Sequence, residues 1–101
     1  MLYIIIAKDK PDAVGLRTET RHAHLQHLKG MGDRLKVAGP LRLHDGAEHP
    51  AGSVIVVEAA SLSAARLAAE ADPYFQAGLF ESVEVRPFNP LFGPWAEAAK
   101  A

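Results

Sequence analysis

Cysteine is absent from this 101-residue chain. That excludes disulfides, thiolate metal sites and a Cys nucleophile, and it is neutral about compartment. Long apolar runs are also missing. The longest, Leu2 to Ala7, falls far short of the roughly 20 residues a membrane span needs. It also lacks the basic start and the length of a secretory signal, so the cytoplasm is the expected location. Neither sign of charge dominates, with 11 basic residues against 12 acidic ones. No basic stripe is present, which argues against a nucleic-acid partner. No Gly-rich phosphate loop follows a strand to open a helix, and there is no G-x-S-x-G elbow. Internal repeats and low-complexity tracts are lacking as well.

What remains is an ordinary globular composition, 49% hydrophobic and 23% charged. A chain this long makes one domain with a modest core. The expected domain spans residues 1–93, and 94–101 form a short Ala-rich tail. Five histidines are more than a chain of this size needs and require an explanation.

Leu2 to Ala7 is β-branched and aromatic and reads as a strand. Lys8 to Asp12, with Pro11 inside, is a turn signal. From about Leu16 to Gly30 the period changes. His24, Leu28, Met31 and Leu35 fall on one helical stripe, whereas Arg17, Glu19, His22, Gln26 and Lys29 read as solvated. Gly30 and Gly32 are natural helix stops. Leu35 to Leu43 alternates as a second strand, and Pro40 within it places that strand at a sheet edge or a bulge. His44 to Gly52 is a polar loop containing Asp45-Gly46. Ser53 to Glu58 is a third strand. Ser61 caps a helix over Leu62 to Ala71, with Leu62, Ala65 and Ala69 on one side. Glu81 to Phe88 is a fourth strand.

The order βαββαβ predicts a ferredoxin-like α+β fold, a four-stranded antiparallel sheet with two helices on one face. The first and third strands are then central. Pro40 and Pro87 both fall on edges, where a missing N–H is tolerated. The central strands are apolar at consecutive positions rather than alternating, so both faces of the sheet are expected to be covered. A second copy packed face to face would do this, giving a homodimer through the open face. The alternative is that Phe88 to Trp95, which carries Phe88, Leu91, Phe92 and Trp95, folds beneath the sheet.

His24 sits on the apolar stripe. It is either a core histidine satisfied by hydrogen bonds or a general base or acid at a pocket edge, a task suited to an unperturbed pKa of ~6.5. Asp72 precedes Pro73 in an N-cap arrangement for Pro73 to Gln76. A carboxylate has two oxygens, so Asp72 can cap a helix with one and orient a histidine with the other. His22 and His27 point elsewhere and read as surface residues. His44 and His49 lie in the polar loop, where solvation is a sufficient account and no metal site is expected. Ser53 has no base placed beside it by sequence, so nucleophilic catalysis is not supported.

Taken in order, Arg21-His-Ala-His24-Leu25, Ala38-Gly-Pro-Leu41, Gly52-Ser53, Ala71-Asp-Pro-Tyr74 and Ala77 to Glu84 resemble the YciI-like (YCII-related) family. The likeness runs from Tyr3 to about Phe88. No single piece is specific, but their joint order and spacing are. The resemblance implies a ferredoxin-like domain that pairs through its sheets, as in dimeric α+β barrels. It also implies an active-site His–Asp pair, which falls here on His24 and Asp72. Family activity is mostly unassigned. In this reading Asp72 fixes the His24 tautomer, Arg21 holds an anionic or enolic oxygen or else makes a surface salt bridge, and Ser53 and Tyr74 line the pocket. The expected chemistry is cofactor-free proton transfer, meaning isomerisation or elimination on a small aromatic or lactone-like molecule. The competing readings are a ligand-binding or regulatory dimer with a structural His–Asp pair, and a cofactor-independent oxygenase.

Overall fold

The computed structural model describes residues 1–96. The elements in order are β1 (Leu2–Asp9), α1 (Val14–Gly30), a 3-10 turn (Gly32–Arg34), β2 (Leu35–Leu41), β3 (Gly52–Glu58), α2 (Leu62–Glu70), α3 (Pro73–Gln76) and β4 (Phe80–Pro87). All strand pairs are antiparallel, and the sheet order is β2-β3-β1-β4. Pro40 and Pro87 therefore do lie on the two edges.

Period 2 in the strands sorts their side chains. Tyr3 and Ile5 of β1 and Ile55 and Val57 of β3 point toward the helices. There they pack with Leu28, Met31, Ala65 and Ala69 into the core. Helix α1 starts two residues earlier than the periodicity predicts. It ends where Gly32 takes φ +57, a conformation natural to glycine. Leu35, assigned by spacing to the helical stripe, belongs to β2. Helix α2 is capped as expected, with the Ala64 N–H donating to Ser61 Oγ at 3.1 Å. Leu62 lies on its exposed side, 46% accessible, whereas Ala65 and Ala69 are buried.

The opposite face of the sheet presents Ile4 and Ile6 beside Val56 and Val54, with Val37 next to Val56. Ile6, Val37 and Leu41 are about 40% exposed there. Phe92 and Trp95 of the Phe88 to Trp95 segment do not seal this face, since they are 94% and 79% exposed. Most of the Ala-rich tail, residues 97–101, lies outside the described residues.

Candidate active site

Helix α1 lies so that positions 17, 21, 24 and 28, spaced four, three and four, share one face. Leu28 anchors that face in the core, and His24 and Arg17 are buried with it. The site is built around these two buried bases and the two carboxylates that meet them.

At His24, the ring Nδ1 lies 2.9 Å from both Asp72 oxygens. A carboxylate can only accept, so Nδ1 carries the proton and donates, leaving Nε2 as the atom with a free lone pair in the neutral ring. Asp72 is 1% exposed. Its Oδ1 also accepts the backbone N–H of Tyr74 at 2.9 Å, capping α3. One residue thus performs both tasks that its two oxygens allow. Among the described residues no buried side-chain nitrogen or oxygen lacks a partner. Nε2 has no hydrogen-bond partner among the described residues, and His24 lines the adjacent cavity.

Arg17 corrects the sequence reading, which placed it in solvent. It is 8% exposed and paired with Asp9. Nε donates to Asp9 Oδ2 at 2.7 Å and Nη2 to Oδ1 at 3.2 Å. Nη2 also donates to the Gly52 carbonyl and to Ser53 Oγ, each at 2.8 Å. Both residues carried a signal that could have been read. Arg17 is two turns before His24 and so shares its face, and Asp9 continues the inward parity of Tyr3, Ile5 and Ala7. Gly52 is required at this point, because a Cβ there would collide with the Ala7 carbonyl oxygen on the neighbouring strand.

Tyr74 joins the two pairs. Its ring stacks on His24 with centroids 4.0 Å apart and planes 14° off parallel. The Arg17 guanidinium lies 4.7 Å from the same ring's centroid. Burial raises the Tyr74 phenol above its ordinary value of 10, against the pull of the Arg17 and Arg21 charges. The phenol therefore stays protonated across the physiological range and is a hydrogen-bond donor.

These groups meet at a cavity of about 290 Å³ between α1 and the β2–β3 side of the sheet. Its polar wall holds Arg17, Arg21, His24, Ser53 and Tyr74, and Leu25, Ala38, Pro40 and Pro50 contribute apolar surface. Four of the five residues singled out from the sequence thus stand on one wall, with Asp72 directly behind His24. Arg21 is exposed and makes no ion pair among the described residues. His27, read from sequence as a surface residue, is part-buried, and its Nε2 lies 3.1 Å from the Ala68 carbonyl of α2. His22, His44 and His49 are exposed. Among the described residues no three His, Asp or Glu side chains cluster as metal ligands, and no helix is long and apolar enough to cross a membrane.

A small α+β domain with a buried His–carboxylate pair opening onto a ring-sized cavity is the class this geometry defines. The chain belongs to the YCII-related domain family, which it matches over residues 1–89. Protein YciI of Escherichia coli O6:H1 is 44% identical over 98 residues, covering 91% of this chain and all of that protein. An uncharacterized protein of Haemophilus influenzae is 36% identical, with 91% and 100% covered. Among solved structures, 5-chloro-2-hydroxyhydroquinone dehydrochlorinase from Burkholderia phenoliruptrix, in complex with 2,5-dihydroxybenzoquinone, superposes with a TM-score of 0.80. It is 32% identical, with 87% of this chain and 93% of that one covered. A NIPSNAP family protein from Agrobacterium tumefaciens shares the fold at TM-score 0.56 and 16% identity, covering 92% and 95%.

Proposed function

We propose that this protein is a homodimeric acid–base catalyst that acts on a small cyclic or aromatic substrate without a cofactor, by elimination or isomerisation. One observation carries the reading: His24 Nδ1 is held by both Asp72 oxygens while Nε2 is left to the cavity. In the step envisaged, Nε2 takes a proton from the substrate. The electron pair released forms a ring double bond and expels a leaving group such as chloride, or returns to another carbon with the same proton in an isomerisation. Asp72 offsets the imidazolium charge that forms. Tyr74 donates a hydrogen bond, and Ser53, held by Arg17, stands in the wall beside it. The cavity is at the lower end of the ~300–1,000 Å³ span of small-molecule sites, which suits a single ring. The dehydrochlorinase chemistry of the Burkholderia relative, at 32% identity, supports elimination over other proton transfers.

The test is turnover of chlorinated hydroxyhydroquinones, with chloride release and oxygen uptake followed together. Chloride release that falls about 10²–10⁴-fold in His24→Ala, in a protein that stays folded, is the expected result. Oxygen uptake without chloride release would favour the oxygenase. Tight binding with no turnover of any substrate would favour a ligand sensor.

The dimer is proposed from the half-exposed apolar patch of Ile6, Val37 and Leu41 on the face away from the helices. A light-scattering mass of twice the chain at micromolar concentration is expected, and a monomer mass would overturn it.

A further inference from the structure

We infer that the ligand of this cavity is a one-ring anion and that Arg21 selects its charge. The inference rests on the reading of the cavity as a substrate site and adds the ionisation state of what it takes. The charges around the cavity can be paired off one by one. Arg17 is neutralised by Asp9, and its Nη2 also donates to the Gly52 carbonyl and Ser53 Oγ. Asp72 is turned to His24 and to the Tyr74 N–H. Neither carboxylate stands on the wall, and among the described residues no other Asp or Glu lines the cavity. Arg21 alone remains, on the wall, exposed, one turn from both Arg17 and His24, with no ion pair or side-chain hydrogen bond among the described residues. The uncompensated charge of the wall is therefore positive.

The rest of the wall fits the body of such an ion. Leu25, Pro40 and Pro50 give apolar surface for a ring, and the Tyr74 phenol gives a neutral donor. A carboxylate can accept from the Arg21 guanidinium in bidentate fashion, and an enolate or phenolate oxygen can accept from it singly, while another ring position reaches His24 Nε2. A neutral ring would leave that guanidinium unpaired and gain nothing from it. The apolar part of the wall strengthens the discrimination, since it focuses the field of the Arg21 charge, the one unpaired cation on the wall among the described residues.

The test measures binding by titration calorimetry at neutral pH. The probes are 2,5-dihydroxybenzoquinone and 4-hydroxybenzoate, both ionised there, and hydroquinone, which is neutral. The proteins are the wild type, Arg21→Gln and Arg21→Lys, each in about 50 mM and about 300 mM salt. The expected result is that at least one anion binds about tenfold or more tighter than hydroquinone, and weakens with salt. Arg21→Gln should remove most of that advantage without changing hydroquinone binding, and Arg21→Lys should keep part of it. Hydroquinone binding as tightly as both anions, an unchanged Arg21→Gln, or no anion binding at millimolar concentration would each overturn the inference. His24→Ala separates it from the proposed catalysis. Anions that still need Arg21 to bind, with turnover indifferent to His24, would leave this inference standing and remove the catalytic reading.

Discussion

Asp9–Arg17 and Asp72–His24 are both buried carboxylate–base pairs, their bases stand two turns apart on α1, and both bases lie against Tyr74. They differ in what is left over. Arg17 is a donor only, and its Nε and Nη2 are committed to Asp9, the Gly52 carbonyl and Ser53. His24 spends one nitrogen and keeps the other. The first pair ties β1, α1 and β3 together at the back of the cavity. The second presents a lone pair to the front. Burial and a close carboxylate are common to both, so neither marks the reactive pair. In the proposed mechanism the uncommitted lone pair on Nε2 makes that distinction.

Arg17→Met should show the largest effect of any change aimed at this contrast. It leaves Asp9 as an uncompensated buried carboxylate, with a loss of about 3–5 kcal/mol in urea unfolding. The double change Asp9→Leu with Arg17→Met should recover much of that loss. A loss under about 1 kcal/mol for the single change would show the pair to be dispensable. Gly52→Ala should cost about 1–3 kcal/mol, because its Cβ must displace the β1 backbone, and it should disturb the Arg17 pair more than the His24 pair. Chemical-shift changes centred on His24 instead would contradict that order.

Asp72→Asn reverses the emphasis. Asn caps a helix as well as Asp, so α3 should persist, and stability should fall by only about 1–2 kcal/mol. Turnover should nevertheless fall by about 10²–10⁴, because an amide N–H facing Nδ1 favours the wrong imidazole tautomer. Retained activity would place the chemistry elsewhere.

Tyr74→Phe gives the smallest and most specific signal. The folded phenol ionises above the unfolded value of 10. Its contribution to stability is therefore complete below about pH 10 and is lost as pH rises through the raised folded value. The stability difference between wild type and Tyr74→Phe should shrink above about pH 10 in urea titrations. A constant difference would mean that the phenol is not held protonated by the fold.

The architecture was legible because local signals agreed. β-branched runs and two helical stretches in the order βαββαβ admit few other arrangements, and Pro40 and Pro87 tested the strand order without having been used to assign it. The Asp72 cap was legible for a local reason too, since Asp-Pro is a cap signal, whereas its pairing with His24 came from the family resemblance. Arg17 and Asp9 were not read. A charge on an amphipathic helix is ordinarily a solvated one, and only the fold brings residue 9 to residue 17 and both to Ser53. The Tyr74 stack was hidden in the same way. Its ring meets His24 from 50 positions further along the chain, a contact that no periodicity encodes.

In the proposed mechanism His24 holds its proton on Nδ1 toward Asp72 and offers a bare Nε2 to the substrate. Long-range ¹⁵N–¹H NMR of the histidine rings reads this directly, because protonated and bare ring nitrogens resonate far apart. The Nδ1–H tautomer is expected for neutral His24 in the wild type, with a shift toward Nε2–H in Asp72→Asn. A wild-type ring protonated on Nε2, or a tautomer that ignores the substitution, would contradict it.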